Sequence, residues 1–341
     1  MRFVALALLA SCTEYDLSGE SDDPKGNPRE EDTTATTDTD TTVDSGTTGG
    51  GTVTDTDEPG PDDTTPAGRI DIVLVMDVAY WYDCYRVELP ERTVELVNAL
   101  FDSGADLAIS IVSYDDYAVD GNWWIAYGGL PYTLNLQMST SRDQVLAAAS
   151  ALEFTWGGDG PGTGYEALLQ ATTGRGYDQD CDGSYGSETD IKPYTAGSAD
   201  AFGGGVNGLR DSSVPGTGSV AGVGFREGST RVLVVFAENS MRDRADGHDV
   251  PSGTCLGVAG RSDAADALNA MSAKLLGVNA YEFQDEDSEL QLQLEDLADR
   301  TSSKIDRDQD GARDDLAVLS GSWDWPATAV IVQAIWDLAG A

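Results

Sequence analysis

The sequence predicts an α/β fold: a doubly wound, mostly parallel sheet with helices on both faces. Two observations predict it. Residues 70–76 in "IDIVLVMD" and 232–237 in "STRVLVVFAEN" are strand-length apolar runs without polar alternation, the pattern of strands buried on both faces. Segments with apolar residues at helical spacing separate these runs from further strand-like segments, and such alternation folds as an open α/β sheet.

In order along the chain, "IDIVLVMD" is the first strand. "ELPERTVELVNALFDSGA" follows as a helix, with Val94, Leu96, Val97, Leu100 and Phe101 on one face and "DSGA" as its stop. "DLAISIVSYDDY" is a second strand and "LPYTLNLQM" a third, at an edge. "TSRDQVLAAASALEF" is a helix capped by Thr140 or Ser141, and "GTGYEALLQATTG" a short one. "STRVLVVFAEN" is the second strongly apolar strand. "RSDAADALNAMSAKLLG" reads as a helix feeding the strand "VNAYEF". "SELQLQLEDLADRTSS" and "PATAVIVQAIWDLAG" close the chain as helices, the second on the spacing of Val330, Ala334 and Leu338.

The amino-terminal part is organised differently. "MRFVALALLASC" has one basic residue, a short apolar core and Cys12, which reads as a secretory signal over residues 1–11. Leu9, Ala10, Ser11 and Cys12 resemble the bacterial lipobox. That resemblance implies cleavage before Cys12, acylation there, and a membrane anchor in the cell envelope. Thr13 after the cysteine implies transport to the outer membrane, on the periplasmic or the exposed face. Residues 13–67 are rich in Thr, Asp, Gly and Pro and hold 16 acids against two bases. Such a segment buries too little apolar surface to offset its ordering entropy. With Cys12 it forms an acidic linker, 12–67, whose reach is roughly 40 Å and more under self-repulsion. The domain proper is 68–341, interrupted by an acidic, Gly-rich insertion at about 174–224.

The whole chain of 341 residues carries 60 acids against 20 bases, a net charge of −40. That excludes general nucleic-acid binding, which needs clustered bases, and suits divalent cations or a basic partner. His248 is the single histidine, in the polar run "DGHDV". No nucleophile–His pairing, phosphate loop or zinc spacing is present, so an enzyme is not expected. Cys84, Cys181 and Cys255 remain after Cys12, an odd number that allows one internal disulfide. Cys181 and Cys255 both lie in polar, insertion-like segments and are the favoured pair.

In an open parallel sheet the ligand sits at the carboxyl ends of the strands. Asp77 and Glu238 each close a core strand and so share one rim, where two carboxylates suit a divalent cation or a basic group. Two solvated acids at strand ends explain the same residues.

The order of features resembles a von Willebrand factor type A domain over residues 69–340. "IDIVLVMD" resembles its first strand, "GGDGPGTGYEALLQA" its glycine-rich loop and helix, and "GFREGSTRVLVVFAEN" its central strand. The Gly-Asp-x-Pro form is similar to the inserted domain of integrin beta subunits. The resemblance implies protein or matrix binding through a metal-ion-dependent adhesion site. The motif D-x-S-x-S stands here as Asp77-Val78-Ala79-Tyr80-Trp81, so the acid is kept and both hydroxyls are lost. Gly162 stands where the pattern has a Glu, with Thr163 or Asp159 as substitutes, and Glu238 replaces the usual Asp. The expectation is a degenerate site, with Mg²⁺ or Ca²⁺ at Asp77 and Glu238, or an aromatic contact surface of Tyr80, Trp81 and Tyr82.

Two acidic loops are better candidates for Ca²⁺. "DQDCDG" offers Asp178, Asp180 and Asp182, closing with Glu188 or Asp190. "DRDQDGARDD" offers Asp306, Asp308 and Asp310, closing with Asp314 or Asp315. Alternate acids followed by Gly aim successive carboxylates at one hard cation. Both resemble the calcium loops of EF-hands and thrombospondin type 3 repeats. Ala317 at the EF-hand closing position excludes a true EF-hand.

Overall fold

A computed structural model describes residues 68–79, 83–117, 130–155, 160–185, 190–193, 213–248, 257–280, 288–308, 310–321 and 326–340, with side chains from residue 89 in the first helix. The chain divides into two units, Met1–Asp63 and Thr64–Ala341, and every described residue belongs to the second.

The described elements run β1 (Arg69–Asp77), α1 (Asp83–Asp102), β2 (Asp106–Tyr114), β3 (Thr133–Ser139), α2 (Arg142–Ser150), α3 (Gly164–Thr173), β4 (Thr230–Ala237), α4 (Arg261–Ala270), β5 (Lys274–Asn279), α5 (Glu289–Arg300), β6 (Lys304–Ile305), β7 (Asp315–Leu316), β8 (Val318–Ser320) and α6 (Thr328–Ala339). Six strands form one sheet in the order β3-β2-β1-β4-β5-β8. Only β3, at an edge, is antiparallel. β6 and β7 pair as a separate antiparallel ribbon. Among the described residues, no helix is long and apolar enough to cross a membrane.

The unalternating apolar runs do what their composition requires. Along β1, Val73 and Val75 face a core built with α3, α4 and α5, while Ile72, Leu74 and Met76 face one built with α1, α2 and α6. The sheet is therefore covered on both faces. α3 is the most enclosed helix, buried from Gly164 to Thr172. Gly164 permits this enclosure, because a Cβ there would stand 2.6 Å from Met241 Sδ.

At the amino ends of the strands, Asp71 is buried inside β1. Arg226 Nε donates to its Oδ1 at 2.6 Å, while the Arg226 amide and Ser229 Oγ donate to Oδ2 at 2.6 and 2.8 Å. A second guanidinium nitrogen donates to Asp106 at 2.5 Å. This end of the sheet is closed by a saturated ion pair.

The structure corrects two expectations. The segment read as one long helix, 261–277, ends at Ala270, and the strand occupies Lys274–Asn279 rather than 278–283. Ser272 at φ +52° breaks the helix, and "KLLGVN" then pairs with β4 from Val232 to Ala237. The insertion is also less detached than its composition suggests. Val223 and Phe225, at its end, are fully buried, and the Val223 carbonyl accepts from the Met138 amide beside β3.

Candidate functional site

Strand order reverses direction between β1 and β4, the switch point where open α/β sheets hold ligands. Asp77 ends β1 there, and Glu238 directly follows β4. The two meet: the Glu238 amide donates to Asp77 Oδ2 at 3.3 Å, and the Ala79 amide donates to Oδ1 at 3.1 Å. Both acids are buried, at 1% and 4% exposure.

A third acid that the strand-end reading passed over joins them. Asp115 directly follows β2, next to Asp77 in the parallel register, and is 2% exposed. Burial pushes Asp77 up to about 7, and the Asp115 carboxylate adds to this against the amides of Ala79, Glu238 and Asn239. Burial likewise pushes Asp115 up to about 6, opposed by the Thr155 hydroxyl that donates to its Oδ2. The signal lay in "SYDDY": an acid ending the strand beside β1 belongs to the same rim. Its neighbour Asp116 is spoken for, in a buried ion pair with Arg242 at 2.9 Å.

Of the two positions that lost a hydroxyl, Ala79 is described, and it is taken up in packing. Ala79 is buried and bridges to Thr155 in parallel register. Gly162 bridges to Met241, and the Thr163 hydroxyl lies 3.0 Å from both the Asp115 and Pro131 carbonyls, to which it donates. Among the described residues, no three acids at the rim bring ligand atoms within 4.8 Å of one another. Tyr80, Trp81, Tyr82 and Asp159 lie outside the described residues.

The acidic loops do converge. Oxygens of Asp306, Asp308 and Asp310 lie within 4.8 Å of one another, as do those of Asp178, Asp180 and Asp190. The two loops share one turn. Asp178 Oδ2 accepts from the Gly183 amide at 2.8 Å, and Asp306 Oδ2 from the Gly311 amide at 2.9 Å. Asp180 accepts from the Asp182 amide and Asp308 from the Asp310 amide; Asp182 accepts from Ser184 and Asp310 from Ala312. Gly183 and Gly311 take φ +84° and +90°, the left-handed conformation that ends each turn. Each loop starts directly after a buried residue in an antiparallel pair, Tyr177 with Ile191 and Ile305 with Asp315.

Both donor sets fit a hard cation, which takes carboxylate oxygens at about 2.3–2.6 Å. Asp178 Oδ1 is buried without a hydrogen-bond partner, and a cation would satisfy it. In the first loop Asp190 completes the group, where Asp182 had been expected; Asp182 Oδ1 instead takes both the amide and the hydroxyl of Ser184. In the second loop Asp314 stays outside the cluster, and Asp315 accepts from the Arg307 amide at 3.2 Å.

Asp246, His248 and Glu289 form a third group of this kind. His248 Nδ1 accepts from the Asp243 amide at 3.0 Å, so its proton sits on Nε2, 3.0 Å from Glu289. Asp246 is engaged by Arg261 and Gln293. These bonds describe a hydrogen-bonded loop anchor, since metal ligation through Nε2 would displace the proton that Glu289 accepts. Cys181 is disulfide-bonded; the expected partner Cys255 lies outside the described residues, as does the lipidation position Cys12.

No protein-family profile matches the chain, and no curated protein sequence does. Among solved structures, proximal thread matrix protein 1 from the mussel byssus is similar in two crystal structures, with TM-scores of 0.42 and 0.41 at 11% and 10% identity. The alignments cover 81% of this chain and 47% of that one, so the chain spans about half the length of that protein.

Proposed function

We propose that the chain is a non-catalytic binding module: a type A-like domain, anchored through a lipid at Cys12 in a bacterial envelope and carried on the acidic linker, that engages another protein or a matrix ligand at the rim of Asp77, Asp115 and Glu238. The observation that supports this most is that Asp77 and Asp115, two buried acids whose charges repel, stand together where β1 adjoins β2 and β4, with the buried Glu238 giving its backbone amide to Asp77, at the sheet end opposite the saturated Asp71–Arg226 pair. Buried acids at the open end are costly to maintain unless a proton, cation or basic group meets them. Ca²⁺ occupies the two acidic loops in this reading, and Ca²⁺ or Mg²⁺ is a weaker occupant of the rim. The test is a pull-down of envelope and extracellular proteins with the full chain, with calcium and with chelator. A specific partner is expected, and its absence in both conditions contradicts the proposal.

A second reading is an envelope lipoprotein whose calcium loops serve stability alone. It is favoured by the second loop's tie to the carboxyl-terminal helix, where the Asp306 amide donates to Asp337 in α6 at 3.2 Å. Under this reading calcium raises thermal stability without changing any association.

A further inference from the structure

Beside Asp115 lies a cavity of about 270 Å³. Its polar wall is Ser113, Asp115, Thr133, Asn135, Glu153 and Thr155, and its apolar part includes Val78 and Leu130. Among the described residues the wall holds two carboxylates and no Lys, Arg or His, in a chain of net charge −40.

The hydrogen bonds along this wall use up donors. The Asn135 amide nitrogen donates to Ser113 Oγ at 2.8 Å. The Thr155 hydroxyl is directed at Asp115 Oδ2 and at the Val78 carbonyl. What the wall offers inward is chiefly acceptor capacity and negative charge, which a donor-rich cation complements.

Size narrows the class of cation. A bare metal ion needs oxygens converging within about 5 Å, given bond lengths of about 2.3–2.6 Å, and no three acids converge so here among the described residues. The volume falls just below the roughly 300–1,000 Å³ of pockets for drug-sized molecules. It suits a single long side chain whose stem lies on apolar surface while its head meets a carboxylate, as Lys and Arg side chains do.

We propose that this cavity receives one basic side chain of a partner protein, a lysine or arginine whose ammonium or guanidinium pairs with Asp115 while its aliphatic stem lies against Val78 and Leu130. The proposal rests on the binding-module reading and names the partner chemistry at that rim. Glu153, exposed at the lip, adds attraction without burial. Thr155 is a positioning residue that orients the Asp115 carboxylate.

The test uses the full chain with calcium present, so that the acidic loops are saturated. Nα-acetyl-lysine methylamide, the arginine equivalent and uncharged Nα-acetyl-norleucine methylamide are titrated by calorimetry, with amide NMR shifts at Ser113 and Thr155 as the local readout. The two basic probes are expected to bind saturably and the norleucine probe about tenfold or more weakly. Asp115→Asn, which keeps an acceptor for Thr155, weakens the basic probes about tenfold or more, and Glu153→Gln weakens them a few-fold. Thermal melts of each variant separate lost binding from lost folding. Equal binding of the norleucine probe overturns the proposal, as do absent saturation or affinities unchanged in both variants. Because the probes need no natural partner, saturable probe binding beside a failed pull-down discards the adhesive reading and keeps the cavity; the reverse pair of results does the opposite.

Discussion

Asp77 is held by backbone amides and yet kept from water, and burial outweighs the hydrogen bonds: its carboxyl is pushed up to about 7. In the unfolded chain the same group titrates near 3.8. Between those values the folded state binds more protons, so stability falls as pH rises across this window, by up to about 1.4 kcal/mol per pH unit for the group. Asp115, pushed up to about 6, adds to the fall below that pH. Urea denaturation in chelator should therefore show stability declining from pH 5 to 7, and Asp77→Asn should flatten the decline and be the more stable form at pH 7. At the other end of the sheet the charge logic reverses. Arg226→Met leaves Asp71 buried and unpaired, which should cost about 3–5 kcal/mol in the same measurement. Asp77 was legible as the acid at the end of an apolar run. Asp115 was not, because two acids in a row after a partly alternating strand look like a solvated turn. Asp71 was hidden inside the apolar run itself, and its partner lies 155 positions away.

The acidic loops are the elements whose sequence pattern and geometry agree most closely. Alternate acids and a left-handed glycine produce the same hydrogen-bonded turn twice, each rooted on a buried strand-like residue. Calcium should raise the melting temperature, each filled loop contributing the equivalent of about 2.7 kcal/mol at a hundredfold excess over its dissociation constant. Calorimetric melts of Asp178→Asn and Asp306→Asn should each lose part of that shift, and the double variant most of it. Asp314→Asn should keep all of it, because Asp314 stands outside the cluster. Sequence spacing identified the turn and left its closing ligand open between Glu188 and Asp190: Asp190 joins the group beside the Tyr177–Ile191 bridge, a tertiary contact that a linear pattern does not encode. The same limit applies to β8. Three residues are too few for a periodic signal, and only their pairing with Gly277, Val278 and Asn279 makes them a strand. Conversely α2, α5 and α6 were readable from their apolar spacing, and a serine marks the amino end of the first two: Ser141 accepts from the Gln144 amide, and Ser288 from the Gln291 amide.

For the whole molecule, two unalternating strands and the helices between them were enough to place the switch point, and with it the open rim. The strand order β3-β2-β1-β4-β5-β8 then puts the carboxyl ends of β1, β2 and β4 side by side. The whole chain carries a net charge of −40, and in the proposed reading the attraction of a basic partner should weaken as salt screens it. Binding of a partner protein at the rim, as proposed, is tested by a quantitative pull-down with the full chain. Wild-type protein and the Asp77→Asn, Trp81→Ala and Asp314→Asn variants are compared in calcium and in chelator. A specific partner should be retained by wild type and by Asp314→Asn, and lost or sharply reduced in Asp77→Asn or Trp81→Ala. No specific partner in either condition, with calcium still raising the melting temperature, would contradict it and leave the stabilising role of the loops as the function.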